Sequence, residues 1–264
     1  MTELVFRGTG DSQGVPRVYC QCAVCEEARM PGPDGGLNRR YRSSLQINDD
    51  EAGILWIDCG PDWKLQMEAA GLKSIDAMLI THAHYDHIGG LPEWYDVCRW
   101  TGQTGRLYAP TEVIAEIRSR FPWLESRIHY LPFDGTLDFG PWKADSWRVN
   151  HGKNGYSYAF RFRNSVNGYS WAYCSDAIDL TEEQKRPLEG LDLLVLGTSF
   201  YKEPYPRETR SVYDVIEAAE LAELLKPGQM WLTHMSHDID IRQGHALLSG
   251  MGYAVTGQAI VLPV

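Results

Sequence analysis

The ten residues THAHYDHIGG, positions 81–90, place His82, His84, Asp86 and His87 within six residues of one another. A packed core gains nothing from three imidazoles so close together, because each brings polar nitrogens that need partners. Metal coordination uses them all. His82 and His84 are two apart on extended backbone, so both side chains can face the same side. Asp86 and His87 come after the chain begins to turn and can aim at a second point. Gly89 and Gly90 let the backbone pass close by without a Cβ clash. Four donors on one loop begin two cation sites and complete neither, so the rest must come from elsewhere.

Further donors stand at the ends of other apolar runs. His151 closes DSWRVNH, Asp176 closes YSWAYCSD, and His234 closes QMWLTH. Two four- or five-coordinate ions need about six to eight protein ligands when one carboxylate bridges them, and these seven residues meet that demand. A second group, Cys20, Cys22 and Cys25, forms C-x-C-x-x-C, a zinc-binding pattern in a loop at about 17–27. A closed zinc site needs a fourth donor, and His237, three residues beyond His234, is the candidate. Cys59, Cys98 and Cys174 read as packing residues, and His129 and His245 have no partner pattern.

Positioning such a set requires strands whose ends open on one edge. Strand character is read at 3–10, 44–47, 54–60, 77–81, 106–110, 145–151, 156–164, 169–176, 191–199 and 229–237, with a hairpin turn at SVNG (165–168). Helices are expected over 62–72, over 111–121 with Thr111 as N-cap, in the first part of 180–190 and over 211–225. The thirty-odd residues after the first strand read as irregular, 122–145 carries no clear signal, and the tail suggests a helix and one or two strands. Strands and helices interleave without a linker or repeat, so the expectation is one α/β unit spanning 1–264. Each histidine-bearing motif falls at the C-terminal end of a strand.

Hydrophobic residues make up 44% of the 264, with nine tryptophans, ample for a core. A formal charge of −10 argues against broad affinity for nucleic acid. A small anionic substrate stays compatible, because a bound cation reverses the local field. The opening MTELVFRGTG lacks the features of a secretion signal, and no apolar run is long enough to span a membrane. A cytoplasmic protein with no membrane partner is expected, its cysteines thiols or ligands rather than disulfides. A homodimer is compatible with this.

H-x-H-x-D-H, then a later histidine, an aspartate after a strand and a final histidine, resembles the metallo-β-lactamase superfamily. The resemblance implies an αββα sandwich of mixed sheets with a binuclear site at one edge. It implies His82, His84 and His151 as ligands of one metal, Asp86, His87 and His234 of the other, and Asp176 as the bridging carboxylate. GTGDSQGVPRVYCQCAVCEEAR (8–29) is similar to the opening of the PhnP-like phosphodiesterase branch. That branch implies two catalytic divalent ions (manganese or zinc), one structural zinc on Cys20, Cys22, Cys25 and His237, and a small, cyclic phosphodiester as substrate. Hydrolysis would proceed by a metal-bridging hydroxide, with Asp86 both ligating and orienting the nucleophile. Two alternatives stay open: hydrolysis of another bond such as a lactone or thioester, and a non-catalytic accessory role like that of the pyrroloquinoline quinone accessory proteins, whose opening is similar.

The chain departs from the branch at Phe200 and Arg210, where histidines are expected, and in GYAVTGQAIVL, which lacks an aspartate before its glycine. The leaving-group acid is therefore unassigned. Arg42, Ser43, Ser44 and Arg210 are candidates to bind a phosphate through charge-assisted hydrogen bonds, or else solvated surface. Tyr85 could donate to a leaving oxygen or wall the pocket.

Overall fold

The period-two runs TELVFRG and SLQIND and the apolar runs GILWI and AML lie side by side in the computed structural model, which describes residues 1–31, 36–243 and 247–263. They are β1 (Thr2–Gly8), β2 (Ser44–Asp49), β3 (Gly53–Ile57) and β4 (Ala77–Leu79), followed by β5 (Gly105–Ala109) and β6 (Ile128–Pro132). A second sheet takes the next strands in chain order: β7 (Thr136–Phe139), β8 (Trp142–Asn150), β9 (Tyr156–Asn164), β10 (Ser170–Cys174), β11 (Leu193–Gly197), β12 (Gln229–Thr233) and β13 (Met251–Tyr253). Finally β14 (Ala259–Leu262) returns to the outer edge of the first sheet beside β1. Both sheets are mixed. Hairpin-linked strands such as β8, β9 and β10 pair antiparallel, while β3–β6 and β10–β13 run parallel.

Leu4, Phe6, Leu45, Ile57 and Leu79 from one sheet meet Phe160, Phe162, Trp171, Tyr173 and Val195 from the other, forming the central core. Sealing a side chain such as Phe160 there is worth about 1.5–3 kcal/mol. Parallel neighbours need crossovers, and the helices supply them. After α1 (Ala23–Arg29), the helices α2 (Trp63–Ala70), α3 (Tyr85–Ile88), α4 (Leu91–Thr101) and α5 (Thr111–Arg120) pack on the outer face of the first sheet through Trp63, Ile88, Trp94 and Ile114. Past the short α6 (Glu182–Lys185), α7 (Val215–Leu225) covers the second sheet with Val215, Ala218 and Leu221. The result is an αββα sandwich.

Several local expectations change. Thr111 opens α5 but does not cap it: Pro110 holds the N-cap position, and Thr111 turns its amide and hydroxyl to Asp134. α7 begins at Val215 rather than 211, because Tyr213 forms a β-bridge with Thr198 and Asp214 builds a reciprocal cap with Glu217. Residues 122–145 contain β6, β7 and the start of β8. The tail supplies its two strands, but no helix there among the described residues; His245 lies outside them. No described helix is long and apolar enough to cross a membrane.

Candidate metal centre

Four strands end at the same place. Beyond β4 the chain stays extended through His82 and His84, and then His84 starts the single turn of α3, whose amides at His87 and Ile88 both donate to its carbonyl. That turn swings Asp86 and His87 to a different direction from His82 and His84. His151 follows β8, Asp176 lies two residues past β10, and His234 follows β12. His234 has φ +57°, a left-handed conformation rarely adopted by a side-chain-bearing residue.

The seven side chains converge into overlapping triads whose donor atoms lie within 4.8 Å of one another: His82, His84 and His151; His82, His87 and Asp176; Asp86, His87 and His234. His82 Nε2 and His84 Nδ1 are 2.9 Å apart. Asp176 stands between groups, with Oδ2 3.2 Å from His87 Nε2 and Oδ1 3.1 Å from His234 Nε2 and 3.7 Å from His151 Nε2. Asp86 Oδ2 is 3.2 Å from His87 Nε2 and 3.6 Å from His234 Nε2. All are buried except His84, which is half-buried. Among the described residues, His87 Nε2, Asp176 Oδ2 and both ring nitrogens of His234 make no contact of hydrogen-bonding geometry, although charged atoms lie 3.1–3.2 Å from His87 Nε2 and His234 Nε2. Orphaned buried donors and acceptors are costly, and here they converge on common points.

Three neighbours turn the rings, the first being the Thr81 hydroxyl, 3.0 Å from His82 Nδ1. Asp58, one residue past β3, accepts from His87 Nδ1 at 2.8 Å and from the amide and hydroxyl of Thr81 at 2.9 Å. The carbonyl of Ser211 accepts from His151 Nδ1 at 2.7 Å. Each contact directs the opposite ring nitrogen, Nε2, into the cluster. Sequence reasoning missed Asp58, whose signal was an aspartate ending the apolar run ILWID.

Charge balance within the cluster calls for cations. Burial works against ionisation of Asp176, yet the charges of His234 and His87 outweigh it and hold its carboxyl well below the carboxylate range. Asp86 is lowered in the same way, burial opposing and His87 prevailing. Conversely, burial opposes protonation of His87, but Asp86, Asp176 and Asp58 push it well above the usual imidazole value. Burial likewise opposes charge on His234, and Asp176 and Asp86 raise it. The donor set fits divalent cations.

The second cluster is also assembled. Cys20, Cys22, Cys25 and His237 bring one donor atom each to within 4.8 Å of the others, with His237 Nδ1 3.4 Å from Cys25 Sγ and 3.6 Å from Cys22 Sγ. Burial pushes the Cys25 thiol up to about 11. Cys59, Cys98 and Cys174 are buried packing residues, and His129 is exposed.

The residues considered for phosphate contact are committed elsewhere. Arg42 pairs with Asp62 at 3.0 Å, Ser43 donates to Gly10, and Ser44 donates to the carbonyls of Ile57 and Asp58. Arg210 is buried among Glu203, Asp214 and Glu217. None is the solvated surface that was the other expectation, since all four are wholly or largely enclosed. Tyr85 is exposed, its ring lying over Gly89. Phe200 packs edge-on against Tyr205.

Comparison with known proteins matches residues 54–235 to the beta-lactamase superfamily domain. A crystal structure described as a new diphosphatase from the PhnP family is 28% identical, with a TM-score of 0.83 over 100% of this chain and 99% of that one. An octanoyltransferase of Porphyromonas gingivalis is 28% identical over 91% of this chain, but the chain spans only 47% of its length. A ribonuclease Z of Agathobacter rectalis is 24% identical over 81% of this chain and 87% of its own.

Proposed function

This chain belongs to the beta-lactamase superfamily, and on that premise we propose that it is a divalent-metal-dependent hydrolase of a small phosphodiester. The observation that carries the reading is the convergence of seven donors from four strand ends into overlapping triads with orphaned buried atoms. His82, His84 and His151 would hold one ion, and Asp86, His87 and His234 the other, with Asp176 shared. Cys20, Cys22, Cys25 and His237 would hold a structural zinc. Ions held at the first pair of sites would supply Lewis acidity to a phosphoryl oxygen and acidify water near neutral pH.

The protein's own groups do the rest. Asp58 and the Ser211 carbonyl keep His87 and His151 turned inward, so the cluster is organised before substrate arrives. Asp86 accepts a hydrogen bond from the attacking water and orients it toward phosphorus. Attack forms a new P–O bond and breaks one ester bond, and the departing oxygen takes up a proton. Phe200 and Arg210 stand where the resemblance implied histidines, so neither position supplies that proton from an imidazole. The likenesses to a PhnP-family diphosphatase and a ribonuclease Z support phosphorus chemistry, while a net charge of −10 favours a small substrate over RNA.

One observation keeps a second reading open. Arg42, Ser43, Ser44 and Arg210 are consumed inside the fold, so no phosphate-binding group among them argues against a lactone or thioester substrate at the cluster. Protein stripped of metal and reloaded with manganese or zinc should hydrolyse linear or cyclic phosphodiesters in preference to lactones, thioesters and tRNA precursors. His84→Ala and Asp86→Ala should abolish that turnover while leaving the circular dichroism spectrum unchanged. Turnover surviving in both variants, or confined to carboxylic substrates, defeats the reading.

A further inference from the structure

Residues 234–239 form one short loop that offers a donor to each of two clusters: His234 to the histidine–aspartate group and His237 to the thiols. The loop starts in the left-handed conformation of His234, which the surroundings must enforce. Arg40 lies against it and is 2% exposed. Its Nη1 donates to the carbonyl of Ser236 at 2.7 Å, and its Nη2 to the carbonyl of Ile239 at 2.7 Å and to Asn38 Oδ1 at 2.8 Å. One planar fork thus spans the loop from both sides of His237. Asp11, Asp240 and Glu27 act on this guanidinium as charges, and burial still draws it down to about 10. A buried cation that mostly serves carbonyls is expensive to keep, and its return lies in the geometry it imposes.

The same residues reach the thiol side. Asn38 receives the Arg40 fork, donates to Asp240 Oδ1 at 2.9 Å and accepts from the Ile241 amide at 3.1 Å. Its own amide donates to Glu27 Oε2 at 3.0 Å, and Glu27 lies on α1, two residues past Cys25. The backbone of Arg40 pairs in both directions with Val15, at 2.8 and 2.9 Å, at the start of the segment that carries the cysteines. A continuous hydrogen-bonded path therefore runs from α1 through Asn38 and Arg40 to Ser236 and Ile239.

We propose that Arg40, braced by Asn38, is a positioning residue that couples the two centres, so that an ion held at either one orders the shared loop for the other. This rests on the reading of both clusters as metal sites. The coupling must be reciprocal, because each ion's binding lowers the ordering cost that the other meets.

The test uses the full-length chain, freed of metal. One equivalent of cadmium is added, its softness directing it to the thiols, where thiolate absorption in the ultraviolet reports occupancy. Manganese is then titrated by electron paramagnetic resonance, with and without cadmium. In the wild type, cadmium should tighten manganese binding by about fivefold or more, the lower range of measured allosteric couplings. Arg40→Met should weaken manganese binding about tenfold, as loss of an outer support does, and abolish the gain from cadmium. Asn38→Ala, which keeps the guanidinium but cuts its brace toward α1, should reduce the gain; it carries the test if the arginine variant fails to fold. Survival of the full gain in the folded variants overturns the proposal. So does a wild type that binds both ions without mutual effect, which would leave the metal reading standing. A wild type that binds neither ion overturns the metal reading and this proposal together.

Discussion

Asp58 serves a histidine rather than an ion. It is fully buried at φ +62°, a conformation that costs an ordinary residue about 1–2 kcal/mol. Burial raises its carboxyl, and the His87 ring works against that rise. The carboxylate accepts from Thr81 and from His87 Nδ1 together, a double duty that an amide cannot reproduce, because one of its two ends donates. Asp58→Asn should therefore weaken divalent-ion binding at the histidine–aspartate cluster about 10- to 100-fold, measured by chelator competition, while cadmium–thiolate absorption at the cysteine cluster stays unchanged. Equal affinity in variant and wild type would remove Asp58 from the centre's support. The seven inner donors were legible because several ligand-type side chains recur at strand ends in a family-like order. Asp58 occupies the same kind of place but stands alone, and many strands end in a lone aspartate. Arg42 was misread for a different reason: its partner, Asp62, is twenty residues away, and nothing local says that the guanidinium turns inward.

At the scale of elements, backbone contacts dock the second half of the ligand loop, beside the side-chain contacts of Asp58 and Arg120. The Cys59 amide donates to the His87 carbonyl and the Gly90 amide to the Cys59 carbonyl, both at 2.7 Å. A Cβ on Gly60 would fall 2.2 Å from the Asp86 carbonyl oxygen, and one on Gly90 2.4 Å from the Gly60 carbonyl oxygen. These glycines exist for close approach, so the usual gain of about 0.4–1 kcal/mol from Gly→Ala should reverse. Gly60→Ala should cost about 1–3 kcal/mol, the range for overpacking, and lower metal affinity with it. Gly135→Ala, with open space around it and no left-handed backbone, should show that usual gain in stability and leave metal affinity unchanged. Thermal unfolding and ion titration of the two variants check this, and a stable, metal-replete Gly60→Ala would show that the loop does not need the contact. The reading of elements succeeded where the period was strong: YSYAFRFRN at 156–164 is β9 residue for residue. It failed at α4, where only Leu91, Trp94 and Cys98 are fully buried, Tyr95 and Val97 pack in part, and Trp100 points to solvent. It failed at α1 as well, a seven-residue helix that starts at the cysteine pattern and carries little apolar periodicity.

For the molecule as a whole, the proposed metal centre implies a stability that depends on pH and on metal together. In the ion-free protein, burial disfavours charge on His87 and His234, but Asp86 and Asp176 prevail and raise both. Their contribution is complete below the unfolded imidazole value of about 6.5 and is lost as pH rises through the raised folded values. Burial lowers His82, His84 and His151, so theirs is present above about 6.5 and lost as pH falls through the depressed folded values. Asp86 and Asp176 add stability that is present above about 3.9 and disappears in stronger acid. Ion-free protein should therefore be most stable near neutrality and weaken on both sides. Divalent ions take over the role of the protons on His87 and His234, so they bind more tightly as pH rises and should erase the alkaline decline. At a free concentration one hundred times Kd, a single site adds about 2.7 kcal/mol. Calorimetry between about pH 7 and pH 9 should show the unfolding midpoint falling in chelator and holding level with manganese or zinc, the regime that the imidazole reference value defines. Two parallel curves would mean that these side chains titrate without competing against an ion, and the convergence of four strand ends would then have to be explained by something other than metal.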